Sequence, residues 1–151
     1  MHDLTATDNV FRIYNHYWGV LDIKSPQEGA NVFVSDSNII SESQYWRFIL
    51  WAQHGRNYWY IIMNEFSGKC LTVPYASQKD KASIRIYDCH PTDAQLWKLI
   101  DRFTDIHHIV YYSFINKNSS KLLDLDVSNK DVYQYGFTPG SDTQLWNYLV
   151  Y

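Results

Sequence analysis

The chain has 151 residues, enough for one folding unit with its own core, and its apolar fraction of 46% and charged fraction of 19% are those of a globular protein. The net charge of −3 and the lack of any Lys/Arg-rich block argue against the electropositive surface that nucleic-acid binding needs. No apolar run approaches the roughly 18 residues of a transmembrane helix, so we expect no membrane insertion by this domain.

The first ten residues, MHDLTATDNV, have neither a basic head nor an apolar stretch. They therefore differ from an ordinary signal peptide. We expect a cytoplasmic protein, or one that is released by a non-standard route.

The first third of the chain predicts four short strands. VFRIYN from Val10, GVLDI at 19–23 and ANVFVS before Asp36 are followed by RFIL after Trp46. These stretches are short, apolar or alternating, and rich in strand-forming residues. The connectors NHYWG and KSPQEG carry the Asn, Gly, Ser and Pro residues that favour turns.

The same order of elements returns twice. The second set is YWYIIMN from Tyr58, KCLTV at 69–73, ASIRIY and KLI, and the third is IVYYSFIN from Ile109, KLLDL at 121–125, DVYQY and NYLV. No segment keeps a 3.6-residue apolar period over about 10 to 12 residues, so we expect no long helix.

A Gln-x-Trp tripeptide precedes the last strand of every set: QYW at 44–46, QLW at 95–97 and QLW at 144–146. Twelve strands in three repeats, about 9–52, 57–101 and 107–151, predict an all-β β-trefoil that forms a single domain over residues 1–151. In that fold six strands build a barrel and three hairpins cap it. A propeller also uses four strands per repeat, but it typically has about four to eight blades.

With this spacing the repeats resemble the ricin B-type lectin family, whose signature is Gln-x-Trp near the end of each repeat. The resemblance covers the chain from about Asn9 to Tyr151. It implies a core role for the three tryptophans and a loop-ordering role, behind each sugar site, for the three glutamines (Trp46, Trp97, Trp146; Gln44, Gln95, Gln144). It also implies a lectin for terminal hexoses such as galactose or N-acetylgalactosamine, with glycans on glycoproteins or glycolipids as partners and no cofactor.

The resemblance bears on the two cysteines as well. Ricin-type repeats often join the positions of Cys70 and Cys89 by a disulfide, which would favour an oxidising environment. Two reduced, buried thiols remain the alternative, which the missing signal peptide favours.

In the family, an acid on the second strand and an aromatic ring at the end of the third strand hold the sugar. A carboxylate accepts charge-assisted hydrogen bonds from ring hydroxyls, and the aromatic face packs on the sugar ring. The third repeat has Asp124 as the acid and Tyr135 as the ring, with Tyr133 on the same face. Thr143, before Gln144, replaces the asparagine that is frequent there.

The other two repeats depart further from this pattern. The first repeat has Asp22, but Ser35 stands at the ring position, with Phe33 two residues earlier, and Ser43 precedes Gln44. Tyr17 and Trp18 in the adjacent turn are substitutes for the missing ring. The second repeat has Tyr87 but Thr72 in place of the acid, and Ala94 before Gln95, so we expect its site to be weak or inactive.

Enzymatic motifs are not evident in the sequence. None of the six histidines (His2, His16, His54, His90, His107, His108) has metal-ligand spacing, and His107 and His108 fall on a predicted strand with opposite faces. Asp124 and Asp126 suit glycoside hydrolysis by their chemistry, but an acid beside a ring serves binding equally well. We therefore expect no metal site and no enzyme.

Two functional hypotheses follow. The first is a lectin acting through shallow sites, as an agglutinin or the targeting subunit of a toxin, in which a homo-oligomer or a toxin-complex partner would supply avidity. The second is a trefoil that binds protein, such as a protease inhibitor or an assembly subunit. The fold alone does not separate the two hypotheses.

Overall fold

The structure, a computed structural model, describes residues 9–150. The N-terminal segment on which the signal-peptide expectation rests therefore lies mostly outside the described residues, as do His2 and Tyr151. No helix within 9–150 is long and apolar enough to cross a membrane.

Twelve strands follow one another in three sets of four. The first set is β1 (Phe11–Asn15), β2 (Val20–Ile23), β3 (Val32–Ser35) and β4 (Trp46–His54); the second is β5 (Asn57–Asn64), β6 (Cys70–Thr72), β7 (Arg85–Tyr87) and β8 (Trp97–Thr104); the third is β9 (Val110–Asn116), β10 (Leu122–Leu125), β11 (Val132–Tyr135) and β12 (Trp146–Val150). Short 3₁₀ turns lie at Glu42–Gln44, Pro74–Ala76, Asp93–Gln95 and Asp142–Gln144. No α-helix occurs between residues 9 and 150, and the predicted twelve-stranded β-trefoil is confirmed.

Six strands close a barrel. Antiparallel pairing runs from β1 to β4, β5, β8, β9 and β12, and β12 returns to β1. The remaining strands form three hairpins, β2–β3, β6–β7 and β10–β11, which meet at one end of the barrel through isolated bridges and main-chain hydrogen bonds. Closure removes the free sheet edges along the barrel, which would otherwise pair with other chains.

The three signature tryptophans start the last barrel strand of each repeat and are fully buried. Each indole N–H donates to a main-chain oxygen of the hairpin beside it, at 3.0 Å in every case: Trp46 to Leu21, Trp97 to Leu71 and Trp146 to Leu123. A buried N–H needs a partner, and these bonds supply it while they tie the hairpins to the barrel.

A second threefold set, of buried asparagines, supports the loops before the signature glutamines and lies outside the Gln-x-Trp pattern. Asn15, Asn64 and Asn116 end the first strand of each repeat and are buried, and each side-chain amide donates to the main-chain oxygen just before a signature glutamine, at Thr143, Ser43 and Ala94. Their carbonyls accept main-chain N–H groups of the following turn. The sequence carries a sign of this set, because the turn segments NHYWG, NEFSG and NKNSS all begin with Asn.

One local prediction is wrong. His107 and His108 lie in the turn between β8 and β9 rather than on a strand, and His108 has a positive φ of 64°. The Asp105 carboxylate organises this turn by accepting from the N–H groups of His107 and Ile109, at 2.8 and 3.0 Å.

Candidate functional site

The outer face of the β10–β11 hairpin brings together the residues singled out in the third repeat. Asp124 stands opposite Tyr133 in the strand register, and Tyr135 is two residues further along the same face. The opposite face, with Leu123 and Leu125, packs into the core. Strand alternation therefore points the acid and both rings away from the barrel.

Gln144 connects this face to the loop that follows β11. Its side-chain oxygen accepts from the Thr138 N–H at 2.8 Å, and its NH₂ group donates to the Gly136 carbonyl at 2.9 Å and to Asp124 Oδ2 at 3.2 Å. One buried amide thus fixes the loop and the carboxylate at once.

The Asp124 carboxylate is largely enclosed, with only 5% of the residue exposed. Burial raises the pKa of its carboxyl above the ordinary value, and hydrogen bonds from Thr143 and Gln144 offset that rise only in part. Oδ1 accepts the Leu125 N–H at 2.8 Å. A carboxylate offers about four acceptor positions, so these three bonds leave room for one further donor.

Both tyrosines flank this acid with half-buried rings. The ring centroids of Tyr133 and Tyr135 are 6.0 Å apart, and neither hydroxyl bonds to any residue between 9 and 150. Burial, followed by the negative charge of Asp124, raises the pKa of Tyr133, so its phenol stays a hydrogen-bond donor at neutral pH. The pair presents ring surface together with two open hydroxyls.

Thr143 contacts both its own loop and the acid. Its hydroxyl lies 2.8 Å from that of Ser141, and it also contacts Asp124. Ser43 makes the equivalent contact with Ser41 in the first repeat, again at 2.8 Å. Both residues act first on their own loops.

In the first repeat Asp22 and Gln44 also lie together, but a side chain of the same repeat already donates to the acid. Ser35 donates to Asp22 Oδ2 at 2.7 Å, and the Gln44 NH₂ group reaches the same oxygen at 3.4 Å and the Ser35 hydroxyl at 2.9 Å. Asp22 is 8% exposed. The Lys24 ammonium sits 3.8 Å from the Phe33 ring centroid and covers one face of the ring that would take a sugar.

Tyr17 and Trp18 are exposed in the adjacent turn. The Lys130 ammonium lies 4.9 Å from the Trp18 ring centroid. No hydrogen bond joins Tyr17 or Trp18 to Asp22 among the described residues.

The second repeat carries no acid on this face. The Thr72 hydroxyl donates to the Cys70 carbonyl at 2.8 Å and accepts from Gln95 at 3.0 Å. A Cβ built on Gly29, from the first repeat, would lie 3.6 Å from the Tyr87 hydroxyl, so that ring is packed against a neighbouring loop. Thr72 and Tyr87 are therefore engaged in internal contacts.

Cys70 and Cys89 are joined by a disulfide with a Cα–Cα distance of 5.2 Å. Cys70 is fully buried and packs with Ile61 and Leu96. The bond links β6 to the loop after β7, so only the middle repeat is stapled.

The paired carboxylates considered for hydrolysis have different local roles. Asp126 lies just after β10, and its Oδ1 accepts from the Ser128 N–H at 3.0 Å and from the Ser128 hydroxyl at 2.6 Å. These bonds lower the pKa of Asp126, the hydroxyl bond most. Over residues 9–150 no three His, Cys, Asp or Glu side chains form a group that could hold a metal ion.

The fold is a β-trefoil with Gln-anchored hairpins, and comparison with solved structures shows the same fold. A designed threefold-symmetric protein, ThreeFoil, superposes with a TM-score of 0.77 at 28% identity, over 93% of this chain and 97% of that one. An exo-β-1,3-galactanase from Clostridium thermocellum gives 0.79 at 23% identity over 97% of this chain, and a Polyporus squamosus lectin gives 0.73 at 15% over 92%. The chain spans 31% of the galactanase and 48% of that lectin.

The chain belongs to the ricin-type β-trefoil lectin domain-like family, whose profile matches residues 42–146. A comparison with curated protein sequences returned no match. Family membership supports carbohydrate binding as the general function.

Proposed function

We propose that the protein is a non-enzymatic lectin that binds a terminal hexose, galactose or N-acetylgalactosamine, on the β10–β11 face of the third repeat. The observation that carries this proposal is the Asp124 carboxylate, with one acceptor position open, beside two tyrosines whose hydroxyls are unpaired. The carboxylate accepts from a sugar hydroxyl, and Tyr135 packs against the ring.

The third repeat is the principal site for a physical reason. In the first repeat Ser35 already donates to Asp22 and Lys24 covers Phe33, so a sugar must displace two internal contacts. In the third repeat Thr143 also contacts Asp124, but a ring, Tyr135, takes the position of Ser35. No cation lies over Tyr133 or Tyr135 among residues 9–150. We therefore propose a strong site in the third repeat and a weak site in the first, and a structural role alone for the second repeat. An agglutinin or toxin-targeting role would then need oligomers or a partner for avidity.

Replacement of Asp124 by Asn tests the site. Loss of a hydrogen bond to a charged group costs about 1.5–3 kcal/mol, so we expect galactose affinity to fall by roughly 10- to 100-fold. A glycan array on the wild type comes first. Isothermal titration calorimetry with galactose and N-acetylgalactosamine then measures the affinity of both proteins. The Asp22→Asn change should have a smaller effect.

Asp88→Asn is the matched control, because Asp88 is an exposed aspartate of the repeat that lacks the site. It should leave affinity unchanged. A wild type that binds no glycan on the array would overturn the lectin proposal in favour of a protein-binding trefoil. Binding that survives Asp124→Asn intact would move the site elsewhere.

The pH dependence of binding follows from the same carboxyl. Only the ionised form accepts from the sugar without competition from its own proton, so binding is complete above the pKa of Asp124 and falls as the pH drops through it. Burial raises that pKa, so we expect affinity to decline at a higher pH than the ordinary aspartate value of about 3.9 would give. Calorimetric titrations over a pH series, with circular dichroism to verify the fold, measure this; a decline centred below the ordinary value would contradict it.

A further inference from the structure

A second concave region lies on the other side of the loop that Gln144 anchors. A cavity of about 220 Å³ separates this loop, residues 137–145, from the β8–β9 hairpin. Its walls include Arg102, Ser113, Phe137 and Leu145, and Gln144 forms part of the wall nearest Asp124. The volume is below the roughly 300–1,000 Å³ of sites for drug-sized ligands, so it suits a group no larger than one sugar ring.

The pseudo-symmetry shows that this space is filled in the second repeat. Tyr60 and Tyr112 face the signature tryptophans in the same register, so Ile61 and Ser113, which follow them, hold equivalent positions. Ile61 packs with Leu96 and the disulfide cysteines in one apolar cluster.

In the third repeat the same position is a small hydroxyl. Ser113 is 1% exposed and Leu145 is the counterpart of Leu96, while Phe137 stands two residues after Tyr135 as Cys89 does after Tyr87. Cys89 is held by the disulfide to Cys70, whereas Phe137 has no such bond and is 54% exposed. The cavity therefore exists because Ser113 takes the position that Ile61 fills in the second repeat.

Arg102 reaches this cavity because it is the extra residue of a β-bulge between Asp101 and Phe103. Bulges redirect a side chain out of the regular alternation. The Arg102 Nε donates to the Ser113 hydroxyl at 2.6 Å, and the guanidinium carbon is 4.5 Å from the Phe137 ring centroid. Its two terminal NH₂ groups make no hydrogen bond to residues 9–150.

The other charged group in the cavity wall is Asp142. Its Oδ1 is 3.7 Å from His16 Nε2, and its side chain is 60% exposed. Its charge is therefore screened by solvent, whereas the guanidinium is held in place by a hydrogen bond and a ring. The cavity thus offers a fixed cation with a planar, two-pronged donor set, which matches a carboxylate.

We propose that this cavity binds a carboxylate-bearing monosaccharide unit, a hexuronic acid, with the carboxylate on the terminal nitrogens of Arg102 and the sugar ring against Leu145. The site is separate from the hexose site, because it uses none of Asp124, Tyr133 or Tyr135. It does not depend on the hexose proposal.

Titration of the ¹⁵N-labelled chain with glucuronate, followed by NMR chemical shifts, tests the proposal, and glucose serves as the uncharged ligand. We expect saturable shifts with glucuronate that map to residues 137–145 and are at least tenfold weaker with glucose. Arg102→Gln should weaken glucuronate binding at least tenfold by removal of the cation. Ser113→Ile should do the same by filling the cavity with the residue that the second repeat tolerates.

Arg56→Gln is the control for net charge, since Arg56 is an exposed arginine in the turn between β4 and β5, and it should leave glucuronate binding unchanged. Equal binding of glucose, or full glucuronate affinity in either Arg102→Gln or Ser113→Ile, would overturn the proposal. So would loss of glucuronate binding in Tyr135→Ala, because it would place the acidic sugar in the hexose site. Loss of galactose binding alone in that variant would leave this proposal standing.

Discussion

Trp97→Ala is expected to lower the free energy of unfolding by about 3–5 kcal/mol, the range for truncation of a buried large aromatic side chain. The ring is fully buried in the core cluster and its N–H is the donor to the Leu71 carbonyl at 3.0 Å. Domains have only about 5–15 kcal/mol of stability in total, so the loss is a large part of it. Urea denaturation followed by circular dichroism measures the change.

The chain supplies its own control. Trp51 is 54% exposed, so Trp51→Ala should change stability by no more than about 0.5 kcal/mol. If Trp97→Ala does not fold, Trp97→Phe keeps much of the ring volume and leaves the Leu71 carbonyl without its donor, at a cost of about 1–3 kcal/mol. Equal stability of the Trp97 and Trp51 variants would refute the core role of the signature.

Reduction of the Cys70–Cys89 disulfide is the second change with a large expected effect. The cysteines are 19 residues apart in the sequence, and cross-linking a loop of this length stabilises the folded state by about 3 kcal/mol in the chain-entropy model. We expect unfolding at a lower urea concentration in the presence of a phosphine reductant. The paired change Cys70→Ala with Cys89→Ala should show the same loss and no further response to the reductant.

The location of the bond makes this prediction specific. It closes the repeat whose face lacks an acid, and Cys70 is also packed by Ile61 and Leu96. Sugar binding in the third repeat should therefore survive reduction while the fold persists. Identical denaturation curves with and without reductant would show that the bond adds no stability.

The fold was predictable because its main determinant is repeated. Trp46, Trp97 and Trp146 have the same burial and the same hydrogen bond, so one tripeptide marks three equivalent core positions. Strand alternation and turn residues then place all twelve strands. Local propensity failed at the β8–β9 turn, where the Asp105 carboxylate caps the chain and moves His107 and His108 off the strand.

The candidate sites were less predictable, because contacts between distant segments decide whether their acids and hydroxyls are already bonded within the protein. The sequence shows that Asp22 and Asp124 are equivalent, but not that Ser35 donates to the first while the hydroxyls of Tyr133 and Tyr135 stay unpaired near the second. Likewise, nothing in the linear pattern indicates that a bulge turns Arg102 toward Phe137. Periodicity gives the face of a strand, whereas side-chain neighbours decide what that face can bind.

Closure of the barrel by β1 and β12 has a kinetic consequence. Five residue pairs, from Phe11 with Val150 to Asn15 with Trp146, join segments that are more than 130 residues apart in the chain. Contacts of such high sequence separation slow folding, because the chain loses the entropy of loop closure before these contacts stabilise it. During synthesis β1 must wait for β12, and its unpaired edge is open to wrong partners until the last strand arrives.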